Sequence, residues 1–365
     1  INKIIQGVID KKDLNLLAHI KGVYWIEPYL PPHLYNSSAQ WVVMTGWRAT
    51  APPGNDNIAR RMWGMGILGQ GEIINHIDGG INTLHYQMCA GSNPIPDFGI
   101  YPDHNKIVVY DSGAPYGITF GSSSTHGTRT ACTAAGNDTM LGTSYFDGVA
   151  KMARLYHNDC DGQELVYIYS DLNDLFIRPY NKYYQSYGIR AYLSVFAWGM
   201  STQGAYTTWS LNSDQFMWAH KDFLLFFANG NNGNPGSVVS PASAKNCVSV
   251  GGTLNGISCQ SYYTATSRGP TQDGRIKPTI LTPAANVQSA SSPPNSYSAS
   301  SGTSIANPSA CGAGALVRQY LREGWYPSGK KIPANGWEYI SSAMVKAILI
   351  NCADTNINQG TFGYI

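Results

Sequence analysis

Ser300-Ser301-Gly302-Thr303-Ser304-Ile305-Ala306-Asn307-Pro308 puts a hydroxyl in front of a helix. The residues before Ser304 are short and permissive, while Ile305, Ala310, Ala313, Ala315, Leu316 and Val317 supply a face that can be buried. Pro308 is expected in the first helical turn, where its missing N–H costs little. Ser304 then stands at or next to a helix N-terminus, where a developing oxyanion meets unpaired amides and the positive end of the helix dipole. Helix capping alone also selects serine at such a position, so the reading turns on what else converges there.

Two earlier segments supply the partners. Ser124-Thr125-His126-Gly127-Thr128 opens a second small-residue helix, in which Gly127, Ala131, Ala134, Ala135 and Gly136 let neighbouring backbone approach. A neutral imidazole at His126 could take a serine proton and return it to a leaving amine; a structural histidine is the plain alternative. The other seven of the eight histidines lack this setting. In Ile73-Ile74-Asn75-His76-Ile77-Asp78-Gly79-Gly80, Asp78 ends an apolar strand. A buried carboxylate there could orient the imidazole, although aspartates also simply end strands in turns. His76, on the same strand face, and His85, after the turn, are less suited to be the base. Asp78, His126 and Ser304 in this order read as a serine hydrolase.

A fourth element is Phe226-Phe227-Ala228-Asn229-Gly230-Asn231-Asn232-Gly233, an apolar strand running directly into amides. Asn231 is the better donor to an oxyanion because Gly230 relieves the backbone before it; Asn229, Asn232 or plain turn formation compete for the assignment.

Strands are expected over residues 73–78, 106–110, 148–156, 191–199, 222–228 and 246–250. Helices are expected over 126–135, 172–184, 212–221, 304–321 and 341–350. Apolar strands interleaved with helices predict an α/β fold, a mostly parallel central sheet covered by helices on both faces. Active residues of such a fold gather at the strand ends and adjoining helix starts. Pro28, Pro31 and Pro32, then Ala51-Pro52-Pro53-Gly54, break regular structure, so the chain divides into residues 1–27, a crossing over 28–57, and a main domain over 58–365.

Composition narrows the function. Of 365 residues, 43% are hydrophobic and 12% aromatic, enough to fill a sizeable core. Only 13% are charged, with a net charge of +2, which argues against nucleic-acid binding; Arg60-Arg61 and Lys330-Lys331 are too brief to make a basic stripe. No run of 18 apolar residues exists to span a membrane. Abundant Asn, Gly, Ser and Tyr with little charge suit a secreted, cell-surface or endomembrane-lumen chain. Seven cysteines show no metal-ligand spacing; an oxidising compartment would allow one or two disulfides, and free cysteines in the core are the equal alternative. Asn36-Ser37-Ser38 and Asn137-Asp138-Thr139 match the glycosylation pattern. Gly64-Met65-Gly66-Ile67-Leu68-Gly69 imitates a dinucleotide-binding loop but lacks a strand before it and a helix after it, so it reads as a turn feeding the Asp78 strand. An α/β-hydrolase is disfavoured because Ser304 lacks the Gly-x-Ser-x-Gly elbow.

Taken together, Asp78-Gly79-Gly80, His126-Gly127-Thr128, Asn231 and Gly302-Thr303-Ser304-Ile305-Ala306-Asn307-Pro308 resemble the subtilisin-like serine proteases, the subtilases. Pro241-Ala242-Ser243-Ala244-Lys245-Asn246 and the segment from Ser267 to Pro278 reinforce the resemblance, which covers residues 73 to about 352. It implies Ser304 as acylated nucleophile, His126 as general base and then acid, Asp78 as its orienter and Asn231 as oxyanion donor. It implies substrate-binding positions at Ala197, Trp198, Gly199, Ala228, Asn229 and Gly230, polypeptide substrates, no cofactor for the chemistry, and a structural calcium at no named site. Two departures stand out: the family usually carries Ser or Thr where Gly79 follows Asp78, removing a supporting hydroxyl, and a serine where Ala197 precedes Trp198-Gly199. A catalytically inactive peptide-binding scaffold is the alternative. Gly22-Val23-Tyr24-Trp25-Ile26-Glu27-Pro28 resembles the end of an inhibitory pro-segment, with cleavage expected somewhere after Tyr24; a plain N-terminal strand and linker is the alternative.

Overall fold

Near-continuous apolar runs such as Leu224-Leu225-Phe226-Phe227-Ala228 suit strands buried on both faces, and the chain uses them so. The computed structural model describes residues 9–27, 33–34, 43, 60–113, 120–121, 125–138, 146–160, 170–181, 186–291 and 295–354. Its strands are β1 His33–Leu34, β2 Ile73–Asp78, β3 Gly99–Ile100, β4 Ile107–Ser112, β5 Arg154–Asp159, β6 Leu193–Phe196, β7 Trp198–Gly199, β8 Leu224–Ala228, β9 Val248–Thr253, β10 Ile280–Pro283, β11 Val287–Ser291 and β12 Ser296–Ser300. Its α-helices are α1 Leu14–Ala18, α2 Arg61–Gly64, α3 Tyr86–Cys89, α4 Thr125–Ala135, α5 Asn173–Tyr180, α6 Thr208–Ala219, α7 Thr303–Arg322 and α8 Ser342–Asn351.

The main sheet runs β10-β9-β8-β6-β2-β5-β4-β3, parallel throughout except where β3 joins antiparallel to β4. This is the expected α/β architecture. Ile77 pairs with Phe196 and Phe196 with Phe227, so Asp78, Ala197 and Ala228 follow one another across the carboxyl edge of three adjacent strands. Beneath that edge Phe196 packs on Phe227 and Trp198, with ring centroids 4.9 and 5.1 Å apart.

Helix α7 lies against β6, β8, β9 and β10 and against α4. Small residues set the depth of this packing: a Cβ on Gly314 would stand 2.9 Å from the Phe226 ring, and one on Gly312 would stand 3.0 Å from the Ala134 carbonyl oxygen. Gly312 and Ala134 are each eight residues beyond Ser304 and His126. The Asn307 amide donates to the Phe196 carbonyl at 2.7 Å, tying the start of α7 to the carboxyl edge. Both helices therefore open toward the edge where Asp78 lies.

Several expectations need correction. The strand expected over 148–156 begins only at Arg154, because Gly148 and Ala150 donate instead to the carbonyls of Gly136 and Ala134 at the end of α4. The strand expected over 191–199 is interrupted at Ala197, where β7 leaves the main sheet. Pro308 is the sixth residue of α7, past the first turn, so the helix lacks the i→i−4 bond to the Ser304 carbonyl. All seven cysteines are free thiols. Asn137 is buried, with its amide on the Met152 sulfur, a poor setting for a glycan; Asn36 lies outside the described residues. Gly64 closes α2, and the residues from Met65 to Gly69 turn toward β2, as expected.

Candidate active site

Asp78 is the last residue of β2 and is fully buried. Its Oδ1 accepts from His126 Nδ1 at 2.6 Å and from the Gly79 amide at 2.8 Å. Its Oδ2 accepts from Thr130 Oγ1 at 3.1 Å. Burial works against the charge on Asp78 and is the largest single influence, but the attraction of His126 and the bonds from His126 and Gly79 together hold its carboxyl below the usual carboxylate range.

His126 is the second residue of α4 and is buried with Asp78. The helix reaches Asp78 because Gly127 has no side chain: a Cβ there would lie 1.9 Å from the Gly79 carbonyl oxygen. Glycine after the histidine is thus a requirement of close approach between helix and turn.

Ser304 is the second residue of α7 and is buried. The N-cap is Gly302, at φ 154° and ψ 155°, a conformation that glycine alone adopts readily. Ser304 therefore lies inside the first turn and is not the capping residue. Asn231 Oδ1 accepts from both the amide and the hydroxyl of Thr303, at 2.8 and 3.0 Å, which anchors this side chain beside Ser304 by its oxygen end. Gly230, at φ +106°, makes the bend that precedes Asn231; a Cβ on it would lie 2.7 Å from Ser267 Oγ.

The other expected binding positions divide. Ala197, Trp198, Gly199 and Ala228 line the carboxyl edge and are buried, and Trp198 Nε1 donates to the Ile77 carbonyl at 2.9 Å. What β7 offers is its backbone edge, and His33–Leu34 pairs antiparallel with it, His33 opposite Gly199 and Leu34 opposite Trp198. Asn229 is committed elsewhere: it is fully buried, its amide donates to the Ser267 carbonyl at 2.5 Å, its N–H to Val250, and its carbonyl accepts from Val239.

Two features escaped the sequence reading. Thr130, which reaches Asp78, sits one helical turn after His126, a spacing that puts both side chains on one face and could have been used. Glu27 is a tertiary feature without a local signal: its carboxylate accepts from the backbone amide of Thr208 at 3.1 and 3.2 Å, at the start of α6. Among the described residues no three His, Cys, Asp or Glu side chains converge as a metal site, and no helix is long and apolar enough to cross a membrane.

Known proteins resemble this chain in sequence and in fold. Residues 69–364 match the model of the subtilase family. The serine protease/ABC transporter B family protein tagD of Dictyostelium discoideum is 27% identical over 81% of this chain and 21% of its own length. The corresponding protein tagA of the same organism is 26% identical over 92% of this chain and 24% of its own length. The chain thus spans about a quarter or less of these two relatives. Subtilisin-like protease 1 of Pseudogymnoascus destructans is 30% identical over 70% of this chain and 58% of its own length. Among solved structures, a cold adapted subtilisin-like serine proteinase matches 80% of this chain and 86% of its own with a TM-score of 0.55 at 18% identity. The prenylagaramide maturation protease PagA matches 74% of this chain and 82% of its own with a TM-score of 0.52 at 20% identity. At such identities these two speak for the fold.

Proposed function

The chain belongs to the subtilase family, and from that premise we propose that it is a serine endopeptidase with Ser304 as nucleophile, His126 as general base and then acid, Asp78 as the orienter of His126, and Asn231 as an oxyanion donor. The observation that carries the reading is the buried 2.6 Å contact between His126 Nδ1 and Asp78 Oδ1, at the sheet edge toward which the Ser304 helix also opens.

With Nδ1–H donated to Asp78, the neutral imidazole has its basic lone pair on Nε2, the atom that accepts the Ser304 proton as Oγ attacks a peptide carbonyl. The buried carboxylate then stabilises the imidazolium, which protonates the leaving amine. Water, deprotonated by the same nitrogen, releases the acyl group from Ser304. Asn231, held by its oxygen on Thr303, has its amide hydrogens left to meet the negative oxygen of the tetrahedral intermediate.

A polypeptide substrate would add an antiparallel strand to β7, the edge to which His33–Leu34 is already paired. That pairing and the bond from Thr208 to Glu27 support a pro-segment reading of the N-terminal piece, inhibitory until cleaved somewhere after Tyr24, at a point that must lie beyond Leu34 to free the β7 edge. The composition favours secretion or an endomembrane lumen. A structural calcium remains a family expectation, to which no residues are assigned.

A fluorophosphonate probe tests the central assignment. The folded chain, freed of its N-terminal segment, should be labelled at Ser304, and Ser304→Ala should abolish labelling. A processed, folded sample that stays unlabelled would favour the inactive peptide-binding scaffold.

A further inference from the structure

Gly79 brings no hydroxyl to Asp78, yet the second carboxylate oxygen is not left without a donor. Thr130 Oγ1 lies 3.1 Å from Asp78 Oδ2 and 2.8 Å from His76 Nε2. His76 Nδ1 lies in turn 2.9 Å from His157 Nδ1, the two rings stacked with centroids 5.0 Å apart. His76 and Asp78 share one face of β2, His157 stands opposite His76 on β5, and Thr130 reaches down from α4. All four side chains are buried.

The directions of these bonds follow from counting protons. Thr130 has one hydroxyl hydrogen and three acceptors at 3.1 Å: Asp78 Oδ2 and the carbonyls of His126 and Gly127. The anionic acceptor makes the stronger bond. Whichever it chooses, Thr130 must accept at its 2.8 Å contact, so His76 carries its hydrogen on Nε2. The bare Nδ1 of neutral His76 then accepts, and His157 carries its hydrogen on Nδ1. That leaves His157 Nε2 as a bare acceptor, and this atom has no partner among the described residues. The reverse order would bury an N–H there without an acceptor and would turn Thr130 away from Asp78.

We infer that Thr130 and His76 are positioning residues, a one-way chain of hydrogen bonds from His157 through His76 and Thr130 that holds the Asp78 carboxylate charged and aligned on His126. The inference rests on the endopeptidase reading above. The chain holds protons in place and passes none during turnover. It works with both rings neutral, and burial does keep them so: His76 is pulled down to about 4, and His157 is held well below its ordinary value. The groups facing the pair are Asp78, which favours charge on His76, His126, which opposes it, and Tyr110, whose ring edge lies on His157 and whose hydroxyl donates to Asp159 at 2.7 Å.

The first test does not require activity. Imidazole ¹⁵N spectra of the full chain carrying Ser304→Ala, with labelled histidine, should show His76 protonated on Nε2 and His157 on Nδ1, both neutral at pH 7. The opposite tautomers, or an imidazolium at either site, would overturn the inference. The second test is kinetic, normalised by fluorophosphonate titration of active sites. Thr130→Val and His76→Leu should lower kcat about tenfold as the carboxylate loses a donor and its fixed orientation. In both, the acidic limb of kcat/KM should move up by roughly half a pH unit, because a carboxylate with fewer donors favours the imidazolium. Thr130→Ser and His76→Gln, which keep a donor at each place, should restore both properties. A lower fraction of titratable sites with an unmoved acidic limb would mean a packing role only and would sink the inference. Should the unsubstituted chain, folded and freed of its N-terminal segment, fail to label, the endopeptidase reading falls and this inference with it; labelling with the wrong tautomers removes the inference alone.

Discussion

His126 Nδ1 and Asp78 Oδ1 stand 2.6 Å apart, both side chains withdrawn from water. Burying a carboxylate is costly unless its charge is matched, and here an imidazole N–H, a backbone amide and a hydroxyl share that task. The bond also selects the tautomer of His126. Asp78→Asn keeps the shape but offers an amide in place of an obligate acceptor, so kcat should fall by about 10⁴-fold, the scale on which a wrong tautomer disables such a base. Steady-state kinetics on enzyme of verified fold checks this, and a loss smaller than tenfold would show that Asp78 does not orient the base.

Gly127 is a second, purely steric condition on the same pair. A methyl group at this position would stand 1.9 Å from the Gly79 carbonyl oxygen and 2.7 Å from that of Gly80, both backbone atoms that cannot swing aside. Gly127→Ala should therefore push α4 away from the turn after Asp78, costing about 3 kcal/mol or more of stability and most of the activity. Thermal denaturation and kcat measured together test it. A stable variant with full activity would show that the turn relaxes freely.

The link from Glu27 to Thr208 spans 181 positions in sequence. Thr207, the N-cap of α6, makes no capping bond with its own side chain, and the Glu27 carboxylate meets the helix amide in its place. Glu27→Ala should cost about 1 kcal/mol of docking, the ordinary worth of a cap, and so raise cleavage of the N-terminal segment by an added protease about fivefold. The Ser304→Ala background removes self-cleavage from the measurement. Equal cleavage rates in the two proteins would remove Glu27 as an anchor.

The parts legible in the sequence were those whose cause is local. Asp78, His126 and Ser304 each stand where a strand ends or a helix begins, and the small residues around them mark close approach. The α/β sheet could be read from apolar runs such as 224–228. What could not be read depends on distant partners. Residues 148–153 alternate like a strand, but their amides are taken by the end of α4. The hairpin β11-β12, rich in serine, carries no apolar run to announce it. Between Asn229 and Asn231 the sequence offers only Gly230 as a reason to prefer the second, and it is the carbonyl of Ser267 and the amide of Thr303 that set the two side chains apart in the fold. His76 looked like an idle neighbour of Asp78 until α4 brought Thr130 between them.

Burial of His76 also predicts how stability depends on pH. The ring is neutral in the fold with its pKa lowered from 6.5 to about 4, chiefly by desolvation. The unfolded chain takes up the proton first, so this contribution is complete above about pH 6.5, declines as pH falls through that value, and is gone once pH passes below about 4. A shift of that size corresponds to something on the order of 3 kcal/mol. Asp78, shifted below its ordinary value of 3.8, loses its own contribution only at still lower pH, so the two are separable. His85, His104, His157 and His220 are lowered by burial in the same direction, and the slope due to buried histidines belongs to all of them with His76. The share of His76 is the difference between Ser304→Ala alone and Ser304→Ala with His76→Gln, which does not titrate. Between pH 6.5 and 4 the melting temperature of the former should fall more steeply. Parallel curves would mean that His76 carries its proton in the folded state or exchanges it without penalty, contrary to a ring held neutral between Thr130 and His157.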